Sequence, residues 1–177
     1  MNLPVTFFQD VRAMHGVYLD MSWDGLTDAL CQFRETCCLP CVGSRCDQKK
    51  GMLWAPVRTF DNDRRHVDAV SALVYDLDNI SPEDLQGLRL RLAEVRYFMH
   101  STHSYTPERP SARLVLPLER ELAPDAAKRA YSAVGERYEL ADDAQGFNAR
   151  RIFYMPSCPA GSRRLIVDNT GTRLLAL

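Results

Sequence analysis

Leu73-Val74-Tyr75-Asp76-Leu77-Asp78 is the stretch whose reading decides the fold. It closes the apolar run AVSALVYDLD, residues 69–78, which reads as a buried strand. Side chains alternate faces along a strand, so Asp76 and Asp78 share one face while Leu73, Tyr75 and Leu77 share the other. Two residues of rise put the two α-carbons about 7 Å apart, close enough for the carboxylates to converge on one hard cation. Two like charges at the end of an apolar strand repel unless a cation or proton intervenes. Removing one of them is therefore expected to leave the fold intact or to stabilise it. Oxygen ligands select Mg²⁺ or Mn²⁺ over Zn²⁺. The alternative is a strand that opens into a solvated turn.

Downstream, Ser81 reads as an N-cap with Pro82 at the first helical position and Glu83 and Asp84 at the positive end. Leu85, Leu88 and Leu92 form that helix's apolar face. Arg96 to Ser104 is the next strand, and Ala112 to Leu118 a third. A helix follows from about Pro124 to Tyr138, then a loop, Asp142 to Ala149, and a strand at Arg151 to Met155. Leu165–Val167 and Arg173–Leu175 flank Asn169-Thr170-Gly171, which predicts a terminal hairpin. Upstream, Val5–Phe8 is a short strand or the start of a helix, and Ser22 caps a helix running to about Arg34. Helices and strands alternate without a linker or repeat, which predicts one α+β domain spanning 1–177.

The second strand ends in Tyr97-Phe98-Met99-His100-Ser101-Thr102-His103-Ser104. Alternation puts Ser101 and His103 on one face and His100 and Thr102 on the other. A serine and a histidine projecting together can donate hydrogen bonds to phosphate. Arg113 lies in the apolar strand Arg113-Leu114-Val115-Leu116 and needs an anion there: Asp76, Asp78 or a ligand phosphate. Asp142-Asp143 precedes Arg150-Arg151-Ile152-Phe153-Tyr154 and offers further carboxylates.

The order Val74-Tyr75-Asp76-Leu77-Asp78, then Ser101-Thr102-His103, then Asp143 resembles the three motifs of the archaeo-eukaryotic primase superfamily, closest to the primase-polymerase domains of phage and plasmid replication proteins. Residues 67–157 carry the resemblance and 1–66 form an N-terminal subregion. The resemblance implies an RNA-recognition-like palm with a central, mainly antiparallel sheet flanked by helices. It implies a DNA-dependent primase-polymerase using Mg²⁺ or Mn²⁺, nucleoside triphosphates and a single-stranded DNA template, with a replicative helicase in cis or in trans. Asp76, Asp78 and Asp143 would hold metal, and Ser101, His103 and Arg113 would contact the triphosphate. The third acid is expected eight positions before an arginine that opens the final strand; Arg151 as marker selects Asp143 over Asp142.

Composition narrows the field without choosing. With 46% hydrophobic and 25% charged residues the chain is of ordinary globular make-up, not a disordered segment. A net charge of −1 excludes a uniformly basic DNA-coating protein. Three lysines (Lys49, Lys50 and Lys128) stand against 19 arginines, the better fork for phosphate. No apolar stretch reaches membrane-span length and no secretory signal is visible, so a cytoplasmic location is expected. Of the six cysteines, Cys31, Cys37, Cys38, Cys41 and Cys46 fall within sixteen residues. A second Cys-x2-Cys pair is missing, so reduced thiols are favoured over structural zinc.

Two rival functions stand beside the primase reading. His100, His103 and Tyr105 are residues a rolling-circle nickase could use, although the spacing of three predicts histidines on opposite faces. A palm that binds template or nucleotide without turnover is the other.

Overall fold

The computed structural model describes residues 2–36, 46, 51–78, 80–140, 146–171 and 175. The 69–78 run lies inside an eleven-residue strand, β6 (Val67–Leu77). It pairs antiparallel with β8 (Ala112–Leu122), which pairs antiparallel with β7 (Arg96–Ser101). β5 (Val57–Thr59) and β11 (Ile166–Thr170) complete a five-stranded sheet of order β11-β7-β8-β6-β5.

Both faces of this sheet are covered, which is why β6 reads as a nearly continuous apolar run. On one face Leu73, Tyr75, Leu77, Met99 and Leu114 pack against α2 (Pro82–Arg91) and α3 (Pro124–Tyr138). Ser81 caps α2 as expected, its Oγ accepting from the Asp84 amide at 3.0 Å. Tyr75 stacks on Tyr131 of α3 at 4.1 Å and donates its hydroxyl to the Tyr131 carbonyl, tying helix to sheet.

The other face carries Ala72, Val74, Phe98 and Val115 and meets a second layer. That layer is a four-stranded sheet of order β2-β1-β4-β9, built from β1 (Asn2–Phe8), β2 (Val17–Ser22), β4 (Leu53–Ala55) and β9 (Phe153–Tyr154). The helix α1 (Trp23–Cys31) adds Trp23, Leu26 and Leu30 to the same core. The short strands β3 (Arg34–Glu35) and β10 (Ser157–Cys158) pair parallel at the margin. The two long helices therefore lie on one face of the central sheet, and strands with one helix cover the other. The antiparallel α+β palm expected from the sequence is the observed fold.

The first helix, expected to about Arg34, ends at Cys31, and β2 was not expected from the sequence. β2 pairs along β1 from Asn2–Ser22 to Phe7–Val17, although its exposed, half-polar sequence shows little alternation. Strand β7 stops at Ser101, and Thr102 donates its amide to the carbonyl of Ser111, just before β8. The expected Asn169-Thr170-Gly171 turn is not found: Asn169 and Thr170 lie within β11, opposite Tyr97 and Arg96, and of the expected second strand at 173–175 all but Leu175 lies outside the described residues. Asn169 there donates Nδ2 to the Val95 carbonyl at 2.6 Å, so its side chain serves a strand contact instead of a turn. Gly171 follows because a Cβ would stand 2.6 Å from the Val95 carbonyl group.

Candidate active site

The ladder of the central sheet sets three polar residues in one row. Asp76 on β6 is paired with Arg113 on β8, and Arg113 with His100 on β7. All three continue the face that carries Val74, Val115 and Phe98, at the end where the apolar core gives out. There the sheet opens into a cleft of about 200 Å³. Asp76, Asp78, Ser101, His103 and Arg113 all line it.

Asp76 is the hub. Its Oδ1 accepts from Arg113 Nε and its Oδ2 from Arg151 NH2, each at 2.7 Å. The three side chains are 10%, 12% and 19% exposed, so water screens these pairs weakly. Arg113 also donates NH1 to the Tyr154 carbonyl at 3.1 Å. Both guanidinium groups lie over the Phe153 ring, at 4.7 and 5.5 Å from its centre. The anion that Arg113 needed is thus Asp76. Asp76 faces two cations instead of an uncompensated like charge, which reverses the expectation that its removal is harmless. Asp78 lies exposed on the turn after β6, lines the same cleft, and has no hydrogen bond or ion pair among the described residues.

His103 lies beyond the end of β7, so strand alternation does not govern it. Its Nδ1 sits 3.1 Å from Ser157 Oγ on β10. His100 lines the same cleft, which removes the opposite-face separation of the two histidines. His100 is 1% exposed and its Nδ1 hydrogen-bonds the Ser101 carbonyl at 2.9 Å. Nδ1 must be the donor to a carbonyl, which leaves Nε2 as a buried acceptor with no partner among the described residues. Burial, then the Arg113 charge, push its pKa down to about 3, so the ring is neutral. Ser101 is buried at the wall, its Oγ accepting from the Leu165 amide at 3.1 Å. Tyr105 is not among the residues lining the cleft.

Asp142 and Asp143 lie outside the described residues, as do Cys37, Cys38 and Cys41. Cys31 and Cys158 are free thiols, and burial followed by the charge of Asp28 raises the Cys31 pKa. No group of three His, Cys, Asp or Glu residues comes together among the described residues. The donor chemistry of Asp76 and Asp78 still fits a hard divalent cation: two carboxylates lining one cleft. Arg151 is the residue that sequence reasoning used only as a register marker. Its signal was a second arginine directly before the apolar Ile152-Phe153-Tyr154, the same pattern that identified Arg113 as needing an anion.

Comparison with known proteins agrees with this architecture. The chain is similar over 98% of its length, and over 85% of the other chain, to the solved AEP domain of the primase-polymerase (PrimPol) of cyanophage S-2L, with a TM-score of 0.54 and 11% identity. The fold is thus the one that this primase-polymerase domain adopts. Residues 55–174 match the VapE N-terminal domain, and the chain belongs to that family. No curated protein matches it. Among the described residues no helix is long and apolar enough to cross a membrane.

Proposed function

We propose that this domain is a DNA-dependent primase-polymerase of a mobile-element replication system, joining nucleotides on a single-stranded template. One observation carries the reading: Asp76, Asp78, Ser101, His103 and Arg113, drawn from three separate segments, line one cleft of a primase-polymerase fold. Arg113, its guanidinium 4.7 Å from the centre of the Phe153 ring, would be the cation for a triphosphate oxygen. In the tautomer where the Ser157 hydroxyl donates to His103 Nδ1, Nε2 carries the proton and donates to phosphate. The buried hydroxyl of Ser101 braces the same wall through the Leu165 amide.

Asp76, Asp78 and Asp143 are the residues that would hold Mg²⁺ or Mn²⁺. A divalent cation there would activate the attacking 3′-hydroxyl and offset charge on the departing pyrophosphate. A replicative helicase, in cis or in trans, is the partner such a module serves.

The engagement of both Asp76 oxygens by arginine favours a second reading, a palm that binds nucleotide without turnover. Template-dependent incorporation of labelled nucleoside triphosphates with Mn²⁺ separates the two. Incorporation that disappears in Asp76→Ala and Asp78→Ala supports the enzyme. Nucleotide binding without incorporation in the unaltered protein supports the second reading.

A further inference from the structure

His100 brings an unpaired acceptor to the cleft. It stands on β7 beside Arg113, in the row that begins with Asp76, and it lines the cleft while being 1% exposed. Nδ1 donates to the Ser101 carbonyl at 2.9 Å, so in the neutral ring the free lone pair lies on Nε2. Nε2 is buried and has no partner among the described residues. Arg113, its neighbour across the ladder, directs Nε to Asp76 and NH1 to the Tyr154 carbonyl. The rings of Phe33 and Phe98, centred 6.1 and 6.0 Å from the imidazole, carry no N–H or O–H to offer.

A buried polar atom without a partner is unfavourable, and a ligand that supplies the missing hydrogen bond removes the penalty. The group that answers Nε2 must donate. An ionised triphosphate carries acceptors only. Base donors differ among the four nucleotides, so an acceptor fixed on one of them would copy some template positions and refuse others. The sugar hydroxyls are the donors that stay the same whatever the base. Asp78 is also an acceptor in this cleft, but it is exposed and keeps solvent as its partner when a ligand lacks a hydroxyl. Buried Nε2 has no such recourse, so discrimination between sugars concentrates there.

We propose that His100 Nε2 accepts a hydrogen bond from a sugar hydroxyl of the nucleoside triphosphate, and that His100 thereby sets which sugar the cleft takes. This rests on the primase-polymerase reading for the identity of the ligand.

Calorimetric titration of the full chain in excess Mg²⁺ tests it without turnover. The probe is a triphosphate analogue whose α,β-bridge is nitrogen, in ribose, 2′-deoxy and 3′-deoxy forms on one base. The unaltered protein should bind the form that lacks the contacted hydroxyl at least about fivefold more weakly than the ribose form. The two deoxy arms identify which hydroxyl that is. His100→Phe keeps a ring between Phe33 and Phe98 but no nitrogen, and should bind all three forms alike. His100→Leu serves if the phenylalanine variant does not fold. His100→Gln, whose side-chain carbonyl still accepts, should restore part of the discrimination. Equal affinity of the unaltered protein for the three forms overturns the assignment, as does discrimination undiminished in a folded phenylalanine or leucine variant. Discrimination that depends on His100 in a protein that incorporates no nucleotide would sink the polymerase reading and leave this assignment standing. No binding of any form would overturn both.

Discussion

Arg113 stands opposite Asp76 across the β6–β8 ladder and closes the pair with an Nε–Oδ1 hydrogen bond of 2.7 Å. Strand pairing alone brings the two Cβ atoms within about 5 Å, so neither side chain searches for its partner. Arg151 reaches the other oxygen from 75 residues away. Asp76 therefore holds the central sheet to the segment leading into β9 as well as facing the cleft.

That linkage separates two carboxylates that look equivalent in Asp76-Leu77-Asp78. Asp76→Ala removes the carboxylate that two largely buried guanidinium groups share, and breaking a buried pair from one side costs about 3–5 kcal/mol. The 10–19% exposure of these side chains places the expected loss near the lower end, about 3 kcal/mol. Asp78→Ala, on an exposed turn with no partner among the described residues, should change stability by less than about 0.5 kcal/mol. Urea unfolding of the two variants gives the comparison. Equal midpoints would mean that the arginine contacts contribute nothing to the folded state.

His100 makes stability depend on acid. Its pKa in the folded protein is about 3, below the ordinary histidine value near 6.5, so the unfolded chain takes up a proton that the folded chain refuses. Stability from this group is complete above the unfolded pKa and declines as pH falls from about 6.5 toward 3. The slope approaches about 1.4 kcal/mol per pH unit, and the loss at pH 5 is about 2 kcal/mol relative to neutral pH. His100→Gln cannot titrate, so its difference between pH 7 and pH 5 should be smaller by about that amount. Parallel pH dependence in both proteins would show that the ring is not held neutral.

The central fold was legible because its strands are buried on both faces and its helices carry start signals. AVSALVYDLD and the Ser81-Pro82 cap both lead to the elements found, and Pro124 to Tyr138 is a helix over that same span. What escaped depends on contacts distant in sequence. β2 is stabilised by pairing along β1, not by a pattern of its own. Asn169 looks like a turn residue until the Val95 carbonyl is beside it. At the site, alternation placed Asp76 and Asp78 together but misplaced the two histidines relative to each other, because β7 ends at Ser101 and His103 sits on the loop beyond. Arg151 could not be assigned to Asp76, since nothing local in a sequence reports a partner 75 positions away.

His103 and Ser157 should act as a unit in nucleotide binding. Ser157 orients the ring through Nδ1 and the opposite nitrogen faces phosphate in the proposed role. His103→Ala should raise the nucleotide dissociation constant by roughly tenfold or more, from the loss of a charge-assisted hydrogen bond of about 1.5–3 kcal/mol. Ser157→Ala keeps the ring but not its orientation, so its effect should be smaller and should vanish in the His103→Ala background. Additive losses in the double variant, read by calorimetric titration of the triphosphate analogue, would show that the two residues act independently.

If residues 142–143 are extended, adjacent side chains point opposite ways, and only one of Asp142 and Asp143 is expected to join Asp76 and Asp78 in the candidate metal set. Arg151 is the marker that selects Asp143, eight positions upstream, and Arg151 itself donates to Asp76 Oδ2. Asp143→Asn keeps the size of the side chain and removes its charge, and a hard dication loses much of its attraction to a neutral amide. Incorporation by Asp143→Asn should therefore require a markedly higher Mn²⁺ concentration and reach a lower plateau. Asp142→Asn should follow the unaltered protein. Incorporation measured across a Mn²⁺ series for both variants decides the register. A defect confined to Asp142→Asn moves the third acid one position toward the N-terminus and makes Arg150 the marker. Two variants indistinguishable from the unaltered protein would take this loop out of the metal site, leaving Asp78 and an Asp76 shared with two arginines as the carboxylates available to it.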